Sequence, residues 1–468
     1  MGGPEGSPLP IVRRLLPMQQ DGSTDDNVTG GAQSASLTMS VAQPADIHQR
    51  SRRASFFRLR YREARAHAYI LCAGGWLLSL VSIALPGVMR IGGGPKWPDF
   101  IHFYTLGDIA RSGPIALLYD ERGQHARQMA ILPWTTSDFF RPDTYPPLAA
   151  LLFAPLTRLP FVVAGLVWGL LMLVIFVMCV GKVVRRSAPD SPLQDRPFVM
   201  AASLGFPSVW SMVMHGQTTI IVILAFALAW MALEARARFA AGFAIGLLAL
   251  KPQFGVLIAI VAIATGEWLL VLGTLTCVAI QAGVTVLLFG TGILQLYVKT
   301  AISVLQTAHM PEIKPYLQHS LRAITSLLPP TADAILLVAL SGAVAVLVID
   351  VWRRTASWRV RMGTLVLGSV LINPHLYAYD GAVLVLAGLW LGEEAGRAEW
   401  FWQRVYWLTV AMLFPVALVI KVQISVLLMI ELLVQVWMRT RAGTFPCELS
   451  GAEGPAEAGP YVLPPKAS

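Results

Sequence analysis

Apolar residues run in long blocks from about Tyr69 to Met438, and polar residues return only in short clusters between them. Phe161–Val180, Ile220–Leu233, Ala334–Ile349 and Leu408–Ile420 are such blocks. Runs of this length and hydropathy predict membrane-spanning helices. The spans fall near 67–89, 160–182, 198–214, 218–234, 239–250, 254–267, 268–290, 331–351, 359–373, 380–392, 403–420 and 423–438. That is a bundle of about twelve helices with both termini on one side. Two hairpins are short for spans, 239–250 with 254–267 and 359–373 with 380–392, because a crossing helix needs about 20 residues. They are expected to end inside the protein, at Lys251-Pro252 and at Asn373-Pro374, since irregular backbone is tolerated at membrane depth where it lines a cavity.

Charge orients the spans. The segment from Arg50 to Arg65 holds seven arginines and one glutamate, immediately before the first span. Basic residues stay on the cytoplasmic side, so the N-terminus is placed there. Lys182, Arg185, Arg186 and Arg196, then Arg236 and Arg238, then Arg353, Arg354, Arg359 and Arg361, then Arg397 and Arg404, then Arg439 and Arg441 all fall in cytoplasmic loops of the same scheme. The longer outer segments, 90–147 and 291–330, are poorer in lysine and arginine. The chain is thus expected to be a multi-pass protein of the plasma membrane with both termini in the cytoplasm.

Composition agrees. The 468 residues are 55% hydrophobic and 13% charged, with a mean hydropathy of +0.61; soluble domains carry about 25% charged residues. A soluble enzyme is excluded. The formal charge of +9 does not call for nucleic acid, because it sits in the inside loops. Cys72, Cys179, Cys277 and Cys447 are scattered, without the spacing of a metal site or a disulfide framework. Residues 1–49 and 441–468, rich in small and polar residues, are expected to be disordered tails around a membrane domain at 50–440.

Four polar clusters fall on the outer side of this scheme: Trp97-Pro98-Asp99-Phe100, His215-Gly216-Gln217, Lys251-Pro252-Gln253, and Asn373-Pro374-His375 running on to Asp380. Polar residues at helix ends in a membrane are costly, so convergence on one face points to a site. After Asp99, Phe100, Phe103, Tyr104 and Gly107 recur at helical spacing. They predict a short helix lying on the membrane surface with Asp99 as its N-cap. Asp108 is expected to be exposed on that helix, and Asp120 to sit in a turn.

An ordered set of residues resembles glycosyltransferase family 87, the polyprenol-phosphate-mannose-dependent mannosyltransferases of the GT-C fold. It comprises Asp99-Phe100, Gly113, Leu118-Tyr119-Asp120, Tyr145-Pro146-Pro147, Pro155-Leu156 with Leu159-Pro160, Gly216-Gln217 and Lys251-Pro252, and the resemblance covers roughly residues 67–440. It implies an all-α polytopic GT-C bundle whose first extracytoplasmic loop carries a catalytic acid, here Asp99. It also implies transfer of a hexose, mannose in this family, from a polyprenyl-phosphate donor to a lipid or glycan acceptor outside the cytoplasm. One departure is visible: the actinobacterial branch has a histidine several residues beyond a late Ser-Pro, whereas here His375 directly follows Asn373-Pro374 and Tyr379-Asp380 come later.

Sugar transfer from a phosphate needs a base for the acceptor hydroxyl, a positive group for the leaving phosphate and a groove for the lipid. Asp99 is the candidate base; helix capping is its competing role. Lys251 is the first candidate for the donor phosphate, against a lysine snorkelling to the outer surface. Arg322 and His319, in the outer segment, are further phosphate candidates, against a solvated loop. His215, Gln217 and Tyr145 are candidate sugar contacts. His375 and Asp380 are candidates for a second acid/base or orienting pair. The chain has no Asp-x-Asp motif, the pair that holds a metal under a nucleotide diphosphate, so a lipid monophosphate donor with no metal or cofactor is expected. The rival class is a secondary transporter or lipid-carrier flippase, since broken helices with polar residues also mark transporters.

Overall fold

The structure, a computed structural model, describes residues 61–87, 96–133, 145–307, 315–413 and 423–445, all within the unit Arg58–Ser468. The N-terminal tail and residues 446–468 lie outside the described residues. Among the described residues all regular structure is helical. Helix α1 (Tyr61–Ala84) is followed by α2 (Phe100–Ser112), α3 (Glu121–Ile131) and the short α4 (Pro147–Phe153). Next come α5 (Phe161–Val184), α6 (Arg196–Leu204), α7 (Pro207–His215) and α8 (Thr219–Glu234). The hairpin α9 (Arg238–Ile245) and α10 (Val256–Ala264) precedes α11 (Trp268–Phe289) and α12 (Gly292–Thr307). The last part holds the single-turn α13 (Arg322–Thr325), α14 (Pro330–Arg354), α15 (Trp358–Ile372), α16 (Leu384–Ala395), α17 (Glu399–Ala411) and α18 (Ile424–Arg441).

Each expected span contains helix among its described residues, but residues 85–87, 205–206 and 265–267 are not helical, and length separates the helices. Among the described residues four helices, α1, α5, α11 and α14, are long and apolar enough to cross a membrane. A fifth crossing is available if α6 and α7, bent by 53°, count as one. The bend is local chemistry: Pro207 opens α7 at its first residue, where its missing N–H costs nothing and its fixed φ suits the new helix. The long helices leave large apolar side chains bare, such as Leu170 at 64%, Leu287 at 83% and Val338 at 74% exposed. Water would not tolerate that density of bare apolar surface; lipid does.

The shorter helices supply the core. α8, α15 and α16 are buried on nearly every side, around residues such as Phe226, Trp230, Leu365, Val366 and Trp390. α9 and α11 approach backbone to backbone. A Cβ at Gly242 would lie 2.0 Å from the Leu270 carbonyl oxygen, and one at Gly273 would lie 2.1 Å from that of Phe239. Small residues at such contacts are what let membrane helices pack without a hydrophobic drive between them.

Two expectations for the first outer segment change. α2 is not a helix with one bare face: Phe100, Ile101, Phe103 to Ile109 are buried, packed largely on α4 and the 3₁₀ turn Ala154–Arg158 that extends it. Asp108 is correspondingly buried, paired with Arg111 at 2.9 Å and with Arg127. Sequence spacing identifies the apolar face of a helix but not whether a second layer covers the polar one. Asp120 does sit at a turn, where its carboxylate accepts from the Gly123 N–H at 2.8 Å and caps α3.

The basic loops meet one another. Arg359 donates to the Arg186 carbonyl at 2.8 Å, Arg353 to that of Ala264 at 2.6 Å, and the Ala188 N–H to Glu393 at 2.7 Å. α8 and α15 run from this pole to the polar clusters, and their lengths put about 22–24 Å between the two.

Candidate functional site

Asp99 is delivered by a tight turn. Lys96 anchors it to α1, its ammonium donating to the Ile83 carbonyl at 2.7 Å and to that of Leu85. Trp97 takes a left-handed conformation (φ 49°), and its carbonyl accepts the Phe100 N–H at 3.1 Å. Its ring is 1% exposed and lies over Gly165, where a Cβ would approach it to 2.6 Å. The Asp99 N–H donates to the His215 carbonyl at 3.2 Å, so the turn is pinned to the end of α7. Asp99 stands at the N-cap position of α2 but makes no side-chain cap. Its backbone is already helical (φ −95°, ψ −24°), whereas a capping side chain folds back from an extended residue.

The carboxylate turns to Gln217 instead. Its Oδ2 accepts from Gln217 Nε2 at 2.8 Å, while nothing among the described residues donates to Oδ1. Gln217 reaches this position because α7 ends on Gly216 in the left-handed region (φ 70°). A Cβ there would stand 2.5 Å from Phe100 Cβ, so the backbone passes directly beneath the Asp99 turn. Trp168 Nε1 donates to the Gly216 carbonyl at 3.0 Å and holds the turn in place.

The network continues inward. Gln217 Oε1 accepts from Lys251 Nζ at 3.2 Å and from the Thr218 N–H at 3.3 Å. Lys251 lies between the 3₁₀ turns Gly246–Leu250 and Pro252–Phe254, the helix break expected at this position. It does not snorkel: the residue is 3% exposed. Its ammonium donates to Asp380 Oδ1 at 2.6 Å, Thr219 Oγ1 at 3.1 Å and Gln217 Oε1, and Tyr379 offers a ring face at 5.6 Å. Asp380, also 3% exposed, comes from the 3₁₀ turn Ala378–Val383 after the second break, and also accepts from the Thr219 hydroxyl. Two buried charges are costly singly and tolerable only as a hydrogen-bonded pair, and every close contact here serves that pairing.

The remaining candidates stand around this chain. Tyr145 touches it, its hydroxyl accepting from Thr218 Oγ1 at 3.3 Å. His215 packs on Tyr379, ring centroids 5.4 Å apart, with Nδ1 on the Ser211 carbonyl at 2.8 Å. His375 is exposed and stacks edge-on with Tyr377 at 4.7 Å. It lies within electrostatic reach of Asp380, Lys251 and Arg322. Arg322 faces Asp333 at 3.7 Å, across the start of α14. His319 is no solvated loop residue: it is 4% exposed, with Nδ1 on Ser425 at 2.9 Å and Nε2 by Gln423 at 3.4 Å. Burial pushes its imidazole down to about 4, so it stays neutral at physiological pH.

Thr219 and Tyr379 are site residues that sequence reading passed over. Thr219 adjoins one polar cluster and Tyr379 lies within another, but their role depends on contacts across 161 residues (Thr219 to Asp380), which a single sequence does not display. Among the described residues no group of three or more His, Cys, Asp or Glu side chains is placed to hold a metal ion.

Residues 144–374 match the model of glycosyltransferase family 87. The match takes in Tyr145, His215, Gln217, Lys251 and Arg322, and leaves Asp99, His375 and Asp380 outside its bounds. No curated protein and no solved structure matches the chain.

Proposed function

From the premise that residues 144–374 belong to glycosyltransferase family 87, which makes the chain a membrane glycosyltransferase, we propose a specific reaction. A hexose, mannose, passes from a polyprenyl-phosphate donor to a hydroxyl of a lipid or glycan acceptor, with Asp99 as general base. The observation that carries this reading is the Asp99 carboxylate: half-buried, one oxygen fixed by Gln217, the other without a donor. A base needs that geometry, oriented by one hydrogen bond and open at one lone pair.

In the proposed step Asp99 Oδ1 takes the acceptor's hydroxyl proton as its oxygen attacks the anomeric carbon. The bond from that carbon to the phosphate oxygen breaks on the opposite face, so the configuration inverts. The polyprenyl phosphate departs with the bonding pair. Arg322 is proposed to meet its charge, and His375, exposed and within electrostatic reach of Arg322, to donate a hydrogen bond to it as a neutral imidazole. His215 and Tyr145, half-buried at the margin of the network, are proposed to contact sugar hydroxyls. The convergence of the basic loops at the far pole supports an extracytoplasmic site in the plasma membrane, with both termini inside.

Membranes carrying the protein, given radiolabelled polyprenyl-phosphate mannose, test the reading. Label should move into a new lipid or glycan product, and Asp99→Asn should lower that rate by ~10²–10⁴-fold, the usual worth of a general base. Expression and melting temperature should be unchanged, because no cap bond is lost. Absence of labelled product would remove this donor; near wild-type turnover in Asp99→Asn would remove the base.

A further inference from the structure

Lys251 is joined to the proposed base through the Gln217 amide and is the obvious partner for a donor phosphate, but its hydrogens are already committed. An ammonium has three N–H bonds. Asp380, Thr219 and Gln217 take them at 2.6, 3.1 and 3.2 Å. A phosphate could be bound only by displacing one of these three acceptors and uncovering a residue that is 3% exposed.

The contact with Gln217 has a consequence for the base. An ammonium only donates and a carboxylate only accepts. The side chain standing between Lys251 and Asp99 must therefore turn its oxygen to the first and its NH₂ to the second. Gln217 does this, Oε1 to Lys251 and Nε2 to Asp99 Oδ2 at 2.8 Å. Without the ammonium the amide oxygen keeps only the Thr218 N–H at 3.3 Å, a weaker hold that would let the amide, and Asp99 with it, shift out of place.

We propose that Asp380, Lys251 and Gln217 form a positioning relay: Asp380 holds Lys251, Lys251 fixes the orientation of the Gln217 amide, and the amide fixes Asp99 with Oδ1 directed to the acceptor. The inference rests on Asp99 being the base. Lys251 and Asp380 are then positioning residues that act through Gln217. They lie on separate elements, so the relay also ties the Asp99 turn, the end of α7 and both helix breaks into one unit. Misplacement of a reacting group by about 1 Å can cost ~100-fold in rate.

The test separates positioning from phosphate binding and from folding. Lys251→Met should lower kcat by roughly 10–100-fold and leave the donor KM within about twofold. This variant leaves the Asp380 carboxylate buried without its partner and can fail for that reason. The double variant Lys251→Met/Asp380→Asn removes both charges together, should accumulate and melt close to wild type, and should still show the kcat loss because the amide oxygen keeps only the Thr218 N–H at 3.3 Å. Gln217→Glu gives a readout that a purely structural role would not move. A second carboxylate beside Asp99 favours its protonated form, so the acid limb of the kcat–pH profile should shift to higher pH. A double variant with wild-type kcat, a donor KM raised at unchanged kcat, or a Gln217→Glu profile that does not move would each overturn the relay. Should the double variant not accumulate, Gln217→Leu replaces it, with the same kcat loss expected and wild-type kcat overturning the proposal. Asp99→Asn run alongside keeps the two ideas apart: if it is active, the base assignment falls and the relay with it; if it is inactive beside a fully active double variant, only the relay falls.

Discussion

At the scale of single residues, the site depends on side chains whose chemistry admits one arrangement. Gln217 is neutral, yet it answers an ammonium at one end and a carboxylate at the other. Neither a charged nor an apolar residue could do both. Gly216 is equally constrained. Its left-handed φ of 70° strains any side chain, and the 2.5 Å approach of a Cβ to Phe100 leaves no room for one. Gly216→Ala should therefore cost about 1–3 kcal/mol of stability from backbone strain and more from the clash. Because the neighbour to be pushed carries Asp99, transfer should be lost even where the protein still folds. Transfer rate and melting temperature in detergent check this: an alanine variant with both unchanged would mean that the turn is looser than its geometry states. Asp99 shows the converse case, a residue whose position suggests a cap and whose backbone dihedrals rule one out.

At the scale of elements, broken helices bring polar groups to depth. The breaks at Lys251-Pro252 and Asn373-Pro374 are visible in the sequence as proline after a polar residue within a short apolar hairpin. The structure adds what they are for: each turn presents one partner of the buried pair. The 53° bend between α6 and α7 has the same local cause but was hidden inside a run of sufficient length for one span. Glycines set the spacing elsewhere. Gly273→Leu on α11 would drive a side chain into the backbone of α9, where even a Cβ comes within 2.1 Å of the Phe239 carbonyl. Overpacking of this kind costs about 1–3 kcal/mol or more, and it should lower the melting temperature in detergent. The effect on transfer should follow stability, since α9 leads through its 3₁₀ extension to Lys251. An unchanged melting temperature would show that the two helices do not touch.

At the scale of the whole membrane unit, charge and chemistry occupy opposite ends. Arg186, Arg353 and Arg359 make their contacts at one pole, and the Asp99 network lies at the other, about 22–24 Å away along α8 and α15. In a background with the native cysteines replaced, Arg122→Cys, exposed on α3, should react with a membrane-impermeant maleimide in intact cells. Asp190→Cys, exposed in the loop before α6, should react only after permeabilisation. Labelling of position 190 from outside would reverse the orientation and put the proposed site in the cytoplasm.

The sequence alone determined the class of the protein, the positions of its long apolar helices, the broken hairpins and the family resemblance; it did not show α3, α12 or the division of α6 from α7. These follow from local quantities: hydropathy over a window, the placement of proline, the distribution of arginine and the order of short motifs. It also brought forward Asp99, Gln217, Lys251 and Asp380, because polar residues in an apolar chain are conspicuous. Only the tertiary structure decided that these residues touch one another, that Lys251 is spent on Asp380, that α2 is covered on both faces and that His319 is buried. A hydrogen bond between positions 129 residues apart, as between Lys251 and Asp380, leaves no trace in composition or periodicity. The partner that satisfies a buried charge is fixed by how helices pack, and packing is a property of the assembled chain.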